Sequence, residues 1–129
     1  MDTSALLAIW EKESGYERWQ DALRGAAEAG QPCVCPVVFA ELSLGGASSA
    51  RLLEQLELLA ITYENFSPES AHLVGCNHWK YRREGGPREH LVPDLLIAAH
   101  AQMQCNRLAA IDRGYLRRHL PRLRVLSPE

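Results

Sequence analysis

A chain of 129 residues with 47% hydrophobic and 23% charged residues has the size and composition of one compact domain, residues 1–129, and no biased tract argues for a disordered tail. No apolar run approaches the roughly 20 residues of a membrane-spanning helix, and the opening MDTSALLAIWEKE lacks the basic start and apolar stretch of a signal peptide. A cytoplasmic protein with no membrane partner is expected. The net charge of −2 excludes the strongly basic signature of a general nucleic-acid binder, but the halves differ: residues 1–72 hold 4 Lys and Arg against 11 Asp and Glu, and residues 73–129 hold 10 against 5. Lys80, Arg82, Arg83, Arg88, Arg113, Arg117 and Arg118 are therefore candidates for a basic rim beside an acidic pocket.

In chain order, Thr3 to Glu13 reads as a helix that Thr3 or Ser4 can cap, with Asp2 just before it. A second helix runs from about Gly15 to Ala29, with Trp19, Ala22, Leu23 and Ala26 at core spacing and Gly30 as its stop. PCVCP is a short strand, and Pro36 opens a helix through VVFAELSLG to Gly45 that carries Glu41. Ser48 to Leu59 reads as a helix and AITYENF as a strand. Ser67 caps a helix that begins at Pro68 and reaches about Arg83, before the Gly85-Gly86-Pro87 break. Val92-Pro93-Asp94 opens an almost wholly apolar helix, LAAI is a strand ending at Asp112, Gly114 to Leu120 is a short helix, and LRVL is a last strand. Helices alternating with short strands predict an α/β fold, a three-layer α/β/α sandwich around a short parallel sheet.

The cysteines, Cys33, Cys35, Cys76 and Cys105, do not form paired C-x-x-C metal spacings and read as reduced, mostly buried thiols. His72, Cys76 and His78 lack a matching second pair and read as packing or surface positions rather than zinc ligands.

Four acids share a different logic. Asp2, Glu41, Asp94 and Asp112 all fall at strand-to-helix transitions, where open parallel sheets bind ligands. Each alone is as well explained by a helix start, a turn or a solvated face. Glu41 and Asp94, however, stand in the apolar runs VVFAELSL and PDLLIAAHA, where an unpaired acid is costly. Clustered carboxylates raise one another's pKa unless a cation joins them. All-oxygen ligation suits Mg²⁺ or Mn²⁺, whose natural chemistry with such ligands is phosphodiester hydrolysis by an activated water.

Asp2-Thr3-Ser4-Ala5-Leu6-Leu7, VVFAEL, PDLLIAAHA and LAAIDRGYLRRHLPRLRVLSP together resemble the ordered motifs of PIN-domain nucleases, closest to the VapC-like toxins of type II toxin–antitoxin pairs. The resemblance implies a Mg²⁺- or Mn²⁺-dependent endoribonuclease acting on RNA, a homodimer, and a cognate antitoxin that covers the active site. By position it implies Asp2 and Asp94 as principal metal ligands, Glu41 and Asp112 as completing the cluster, and Thr3 or Ser4 as hydrogen-bonding near Asp2. Arg82, Arg83 and Arg88 would meet substrate, whereas His100, on so apolar a helix, reads as a core residue rather than a base. Two departures stand out. Ala110 occupies a position that is commonly Thr in relatives, and only Met1 precedes Asp2 where relatives begin with an apolar strand, so an upstream start is expected rather than loss of a central strand. The competing readings are a PIN nuclease of RNA maturation, a nonenzymatic PIN-like module, and a phosphoacceptor receiver, which lacks its paired acids and late Lys here.

Overall fold

The computed structural model describes residues 1–85, 91–111 and 114–128. Its elements are α1 (Thr3–Trp10), α2 (Tyr16–Ala26), β1 (Cys33–Val34), α3 (Pro36–Leu42), α4 (Ser49–Leu58), β2 (Thr62–Tyr63), α5 (Pro68–Arg83), α6 (Leu91–Gln104), β3 (Leu108–Ala109), α7 (Tyr115–His119) and β4 (Val125–Leu126), with short 3₁₀ turns at Ala27–Ala29 and Ser43–Gly45. The α/β class and short parallel strands are as the sequence predicts.

Local chemistry accounts for the helix starts. Ser48 Oγ accepts from Arg51 N and Ser67 Oγ from Ser70 N, each satisfying a first-turn donor, and Pro36 and Pro68 stand where no backbone donor is needed. At α1 the expected cap shifts: Asp2 is the N-cap, Thr3 and Ser4 are already helical, and no side chain caps the turn. Helix α6 begins at Leu91, two residues before Pro93, which its first turn tolerates because those amides have no helical partner anyway. Gly114, at φ 95°, turns the chain into α7 in a conformation that a Cβ disfavours.

The strands pair in two parallel couples rather than one continuous sheet. β1 lies beside β2 (Cys33 opposite Thr62, Val34 opposite Tyr63), and β3 beside β4 (Leu108 opposite Val125, Ala109 opposite Leu126). Residues 1 and 2 run between the couples: the Met1 amino group donates to Cys33 O at 2.6 Å and Asp2 N to Ala109 O at 3.0 Å.

Side-chain alternation along β3 then sorts the core. Leu108 and Ala110 enter the main cluster with Leu6, Val34, Val38, Leu56 and Leu95, whereas Ala109 faces a smaller one formed by Ala5, Ala8 and Trp19. Apolar helices therefore cover both faces of this couple. Leu95, the residue after Asp94, is 1% exposed and anchors the start of α6. Leu95→Ala should destabilise the protein by about 2–5 kcal/mol, read as a lowered midpoint in urea denaturation, because a buried cavity is left where α6 meets the core.

Candidate active site

Three of the four predicted acids converge. Asp2 is delivered by the backbone hydrogen bond to Ala109, Glu41 projects from the last turn of α3, and Asp94 sits in the first turn of α6. Helices α1 and α6 both pack on α3, which brings these starts and ends to one edge of the molecule. Asp112 lies outside the described residues.

The electrostatics record the convergence. Partial burial pushes the Glu41 carboxyl above its ordinary range; a hydrogen-bonding influence from Thr3 opposes this, and the charges of Asp2 and Asp94 reinforce it. Asp94 is likewise raised, first by partial burial and then by the Asp2 charge. The three acids thus repel one another pairwise. Among the described residues, no salt bridge reaches any of them. Glu41 and Asp94 keep solvent-exposed faces, so the cluster is open to an incoming ion.

Hydroxyl groups line the same edge. Ser4 Oγ donates to Asp2 Oδ2, fixing that carboxylate. Thr3 Oγ1 is buried without a partner at full hydrogen-bonding geometry, yet stands close enough to favour the ionised form of Glu41. A cavity of about 290 Å³ opens beside Asp2 and Asp94, walled by Ile97, Ala110, Ile111, Tyr115 and Leu116. Ala110, which lines this cavity, has no hydroxyl to offer it.

Tyr115 was not legible as a site residue. Its phenol shares the cavity with Asp94, and its pKa is raised by burial and by the Asp94 and Tyr81 neighbours. The signal available was its place three residues after Asp112, at the start of α7.

Arg82 and Arg83 are exposed on the last turn of α5, and the Arg83 guanidinium lies 4.7 Å from the Trp79 ring centroid. That stacking holds a cation outward at the end of α5, the helix most extensively packed on α6. Arg88 and Arg113 lie outside the described residues. His100 is 4% exposed and bonded to Glu64, a core residue as its apolar helix suggested.

Residues 1–127 match the PIN domain. The chain belongs to the PIN-domain family. PIN domains are generally nucleases. Among solved structures, this PIN domain resembles the crystal structure of VapBC2 from Rickettsia felis bound to a DNA fragment from their promoter, with a TM-score of 0.71 and 18% identity over 97% of this chain and 94% of that one. That likeness is one of fold. No curated protein matches the chain. Among the described residues, no helix is long and apolar enough to cross a membrane.

The repulsion has a measurable sign. An acid whose pKa is raised by folding binds more protons folded than unfolded, so stability falls as pH climbs from the ordinary carboxylate range through the raised value. In EDTA, wild type should lose melting temperature across that window. Asp94→Asn should lose less, because the substitution removes one raised acid and relieves Glu41. Parallel pH profiles for the two proteins would place the strain outside this cluster.

Proposed function

We propose that this PIN domain is a Mg²⁺- or Mn²⁺-dependent endoribonuclease, and that residues 1–129 act as one nuclease domain. The observation that carries the reading is the mutual approach of Asp2, Glu41 and Asp94, each delivered by a different element and without a described cationic partner. The donor set fits a hard cation: carboxylate oxygens supply the charge, and the Thr3 hydroxyl beside Glu41 adds a further oxygen at their edge. Asp2, Glu41 and Asp94 would hold the ion, with Asp112 completing the set. Such an ion, when bound, would polarise a phosphodiester and lower the pKa of its bound water so that a hydroxide nucleophile is available near neutral pH.

The protein's own residues do the rest. Ser4 keeps the Asp2 carboxylate in one orientation, and Glu41 and Asp94 are exposed to solvent at the same edge. Tyr115 offers a neutral phenol beside Asp94, able to donate to a phosphate oxygen. Arg82, Arg83 and Arg88 are assigned to the RNA backbone, consistent with the basic surplus of residues 73–129.

The toxin role, with a cognate antitoxin covering the acidic edge, a homodimeric assembly and a cytoplasmic setting, rests on the sequence motifs and on the shared fold with the Rickettsia felis VapBC2 structure. An RNA-maturation nuclease is the alternative within the same chemistry. Growth arrest on induced expression, relieved by Asp94→Asn and by a co-expressed antitoxin, supports the toxin; unimpaired growth with an active enzyme supports the alternative.

The catalytic assignment is tested by cleavage of total RNA with Mg²⁺, Mn²⁺ or EDTA. Wild type should cleave with either metal and stop in EDTA, and Asp94→Asn should be inactive while folded. Mn²⁺ should raise the melting temperature of wild type by mass action and that of Asp94→Asn much less. Equal shifts in both would move the ion away from Asp94.

Salt dependence tests the arginines separately. Replacing Arg82 or Arg83 by Ala should weaken single-stranded RNA binding and flatten the slope of log K against log salt by about 0.7 for each phosphate no longer neutralised. An unchanged slope would return these side chains to the role of a solvated helix end.

A further inference from the structure

Away from the acidic edge, the fold gathers a chemically different group. Cys33 lies in β1, Glu64 directly follows β2, His100 is in α6 and Cys105 directly follows α6; one ligand atom from each lies within 4.8 Å of the other three. His100 is buried and the other three are partly so. We propose that this cluster is a second metal site, suited to a borderline-soft cation such as Zn²⁺, with Cys33 Sγ, Cys105 Sγ and His100 Nδ1 as ligands and Glu64 as the group that orients the imidazole.

The distances fit. Two sulfurs bound tetrahedrally at about 2.3 Å to one zinc are about 3.8 Å apart, and a sulfur and an imidazole nitrogen about 3.5 Å. Here the two sulfurs are separated by 3.5 Å, and Cys105 Sγ stands 3.9 Å from His100 Nδ1. Each of these two separations is within a few tenths of an ångström of its tetrahedral value, and the cluster as a whole spans no more than 4.8 Å. Its sulfur and nitrogen donors distinguish it from the all-oxygen cluster of Asp2, Glu41 and Asp94.

The surroundings are those of a prepared ligand. Glu64 Oε1 stands 2.9 Å from His100 Nε2 and accepts from it in the Nε2–H tautomer, which leaves the Nδ1 lone pair toward Cys105. The same carboxylate oxygen accepts from Gln104 Nε2 at 3.0 Å, and Gln104 Oε1 in turn accepts from Ser67 N at 2.8 Å and Ser70 Oγ at 2.7 Å. Carboxylates in this position orient metal-binding histidines and raise their basicity. Burial lowers the His100 pKa against the opposing influence of Glu64, which favours the neutral imidazole that a metal needs. The hydrogen bond between the two thiols lowers Cys33 to about 7 and raises Cys105, and a cation bound between them would displace their protons.

A cavity of about 560 Å³ reaches Cys33, Glu64, His100 and Cys105 and gives an ion its entry path. Three protein ligands leave a fourth position facing that cavity, for water. Bound there, the ion would tie β1 to the segment entering β3, across the division between the two strand couples.

Co²⁺ titration of the reduced full-length chain tests this, because thiolate ligands give a near-ultraviolet charge-transfer band that an all-oxygen site does not. The band should saturate at one Co²⁺ per chain, and Zn²⁺ should abolish it and raise the melting temperature. It should persist in Asp94→Asn and in Cys76→Ser, which breaks the separate His72 and Cys76 contact on α5. Cys33→Ser and Cys105→Ser should lose it, and Glu64→Gln, which keeps all three ligands, should weaken Co²⁺ binding roughly 10- to 100-fold. Absence of the band in reduced wild type, its survival in both serine variants, or its loss in Cys76→Ser would overturn the site. Asp94→Asn keeps this outcome separate from that of the nuclease reading.

Discussion

The backbone of Met1 and Asp2 lies between two strand couples that, among the described residues, do not bond to each other, and donates to Cys33 on one side and to Ala109 on the other. Two hydrogen bonds at that point set where α1 starts. Because α1 starts there, Asp2 reaches the edge at which α3 presents Glu41 and α6 presents Asp94. The strands themselves are only two residues long, so most of the restoring force on this arrangement comes from helix packing on Leu6, Val38 and Leu95. A parallel pairing of such length is weak in isolation; buried apolar contacts on both faces make it persist.

Folding works against electrostatics at that edge. The apolar faces of α3 and α6 place Val38, Leu95 and Ile97 inside and hold two acids at the boundary, where burial and mutual charge both disfavour ionisation. The protein accepts this cost locally because the core residues adjoining each acid leave it little choice of position. Strain of this kind is typical of sites that a ligand completes.

Much of this was readable from the sequence because the signals were local. Ser67-Pro68 marks the start of α5 to the residue, and the apolar run after Asp94 marks α6. Asp2 and Asp94 were legible because each stands at the start of a helix, whereas Glu41 lies in the last turn of α3 and reaches the same edge through the packing of α1 and α6 on α3. What could not be read depended on tertiary neighbours without a shared local pattern. Tyr115 belongs to the Asp94 cavity only through the turn at Gly114, and Cys33 meets Cys105 across 72 residues with no spacing rule to connect them. Cysteine spacing pointed away from zinc because it registers neighbours along the chain. The division of the strands was also hidden, since two-residue strands carry no alternation long enough to set a register.

Helix α6 carries Asp94 in its first turn and His100 and Gln104 toward its end. At about 1.5 Å rise per residue, Asp94 and His100 are about 9 Å apart along one axis, with Ile97, Ala98 and Ala99 packed between them. Such a segment behaves as a rigid rod. Any sliding of α6 against α5 would therefore carry the carboxylate and the imidazole together, so the two ends of the helix share a single mechanical coordinate.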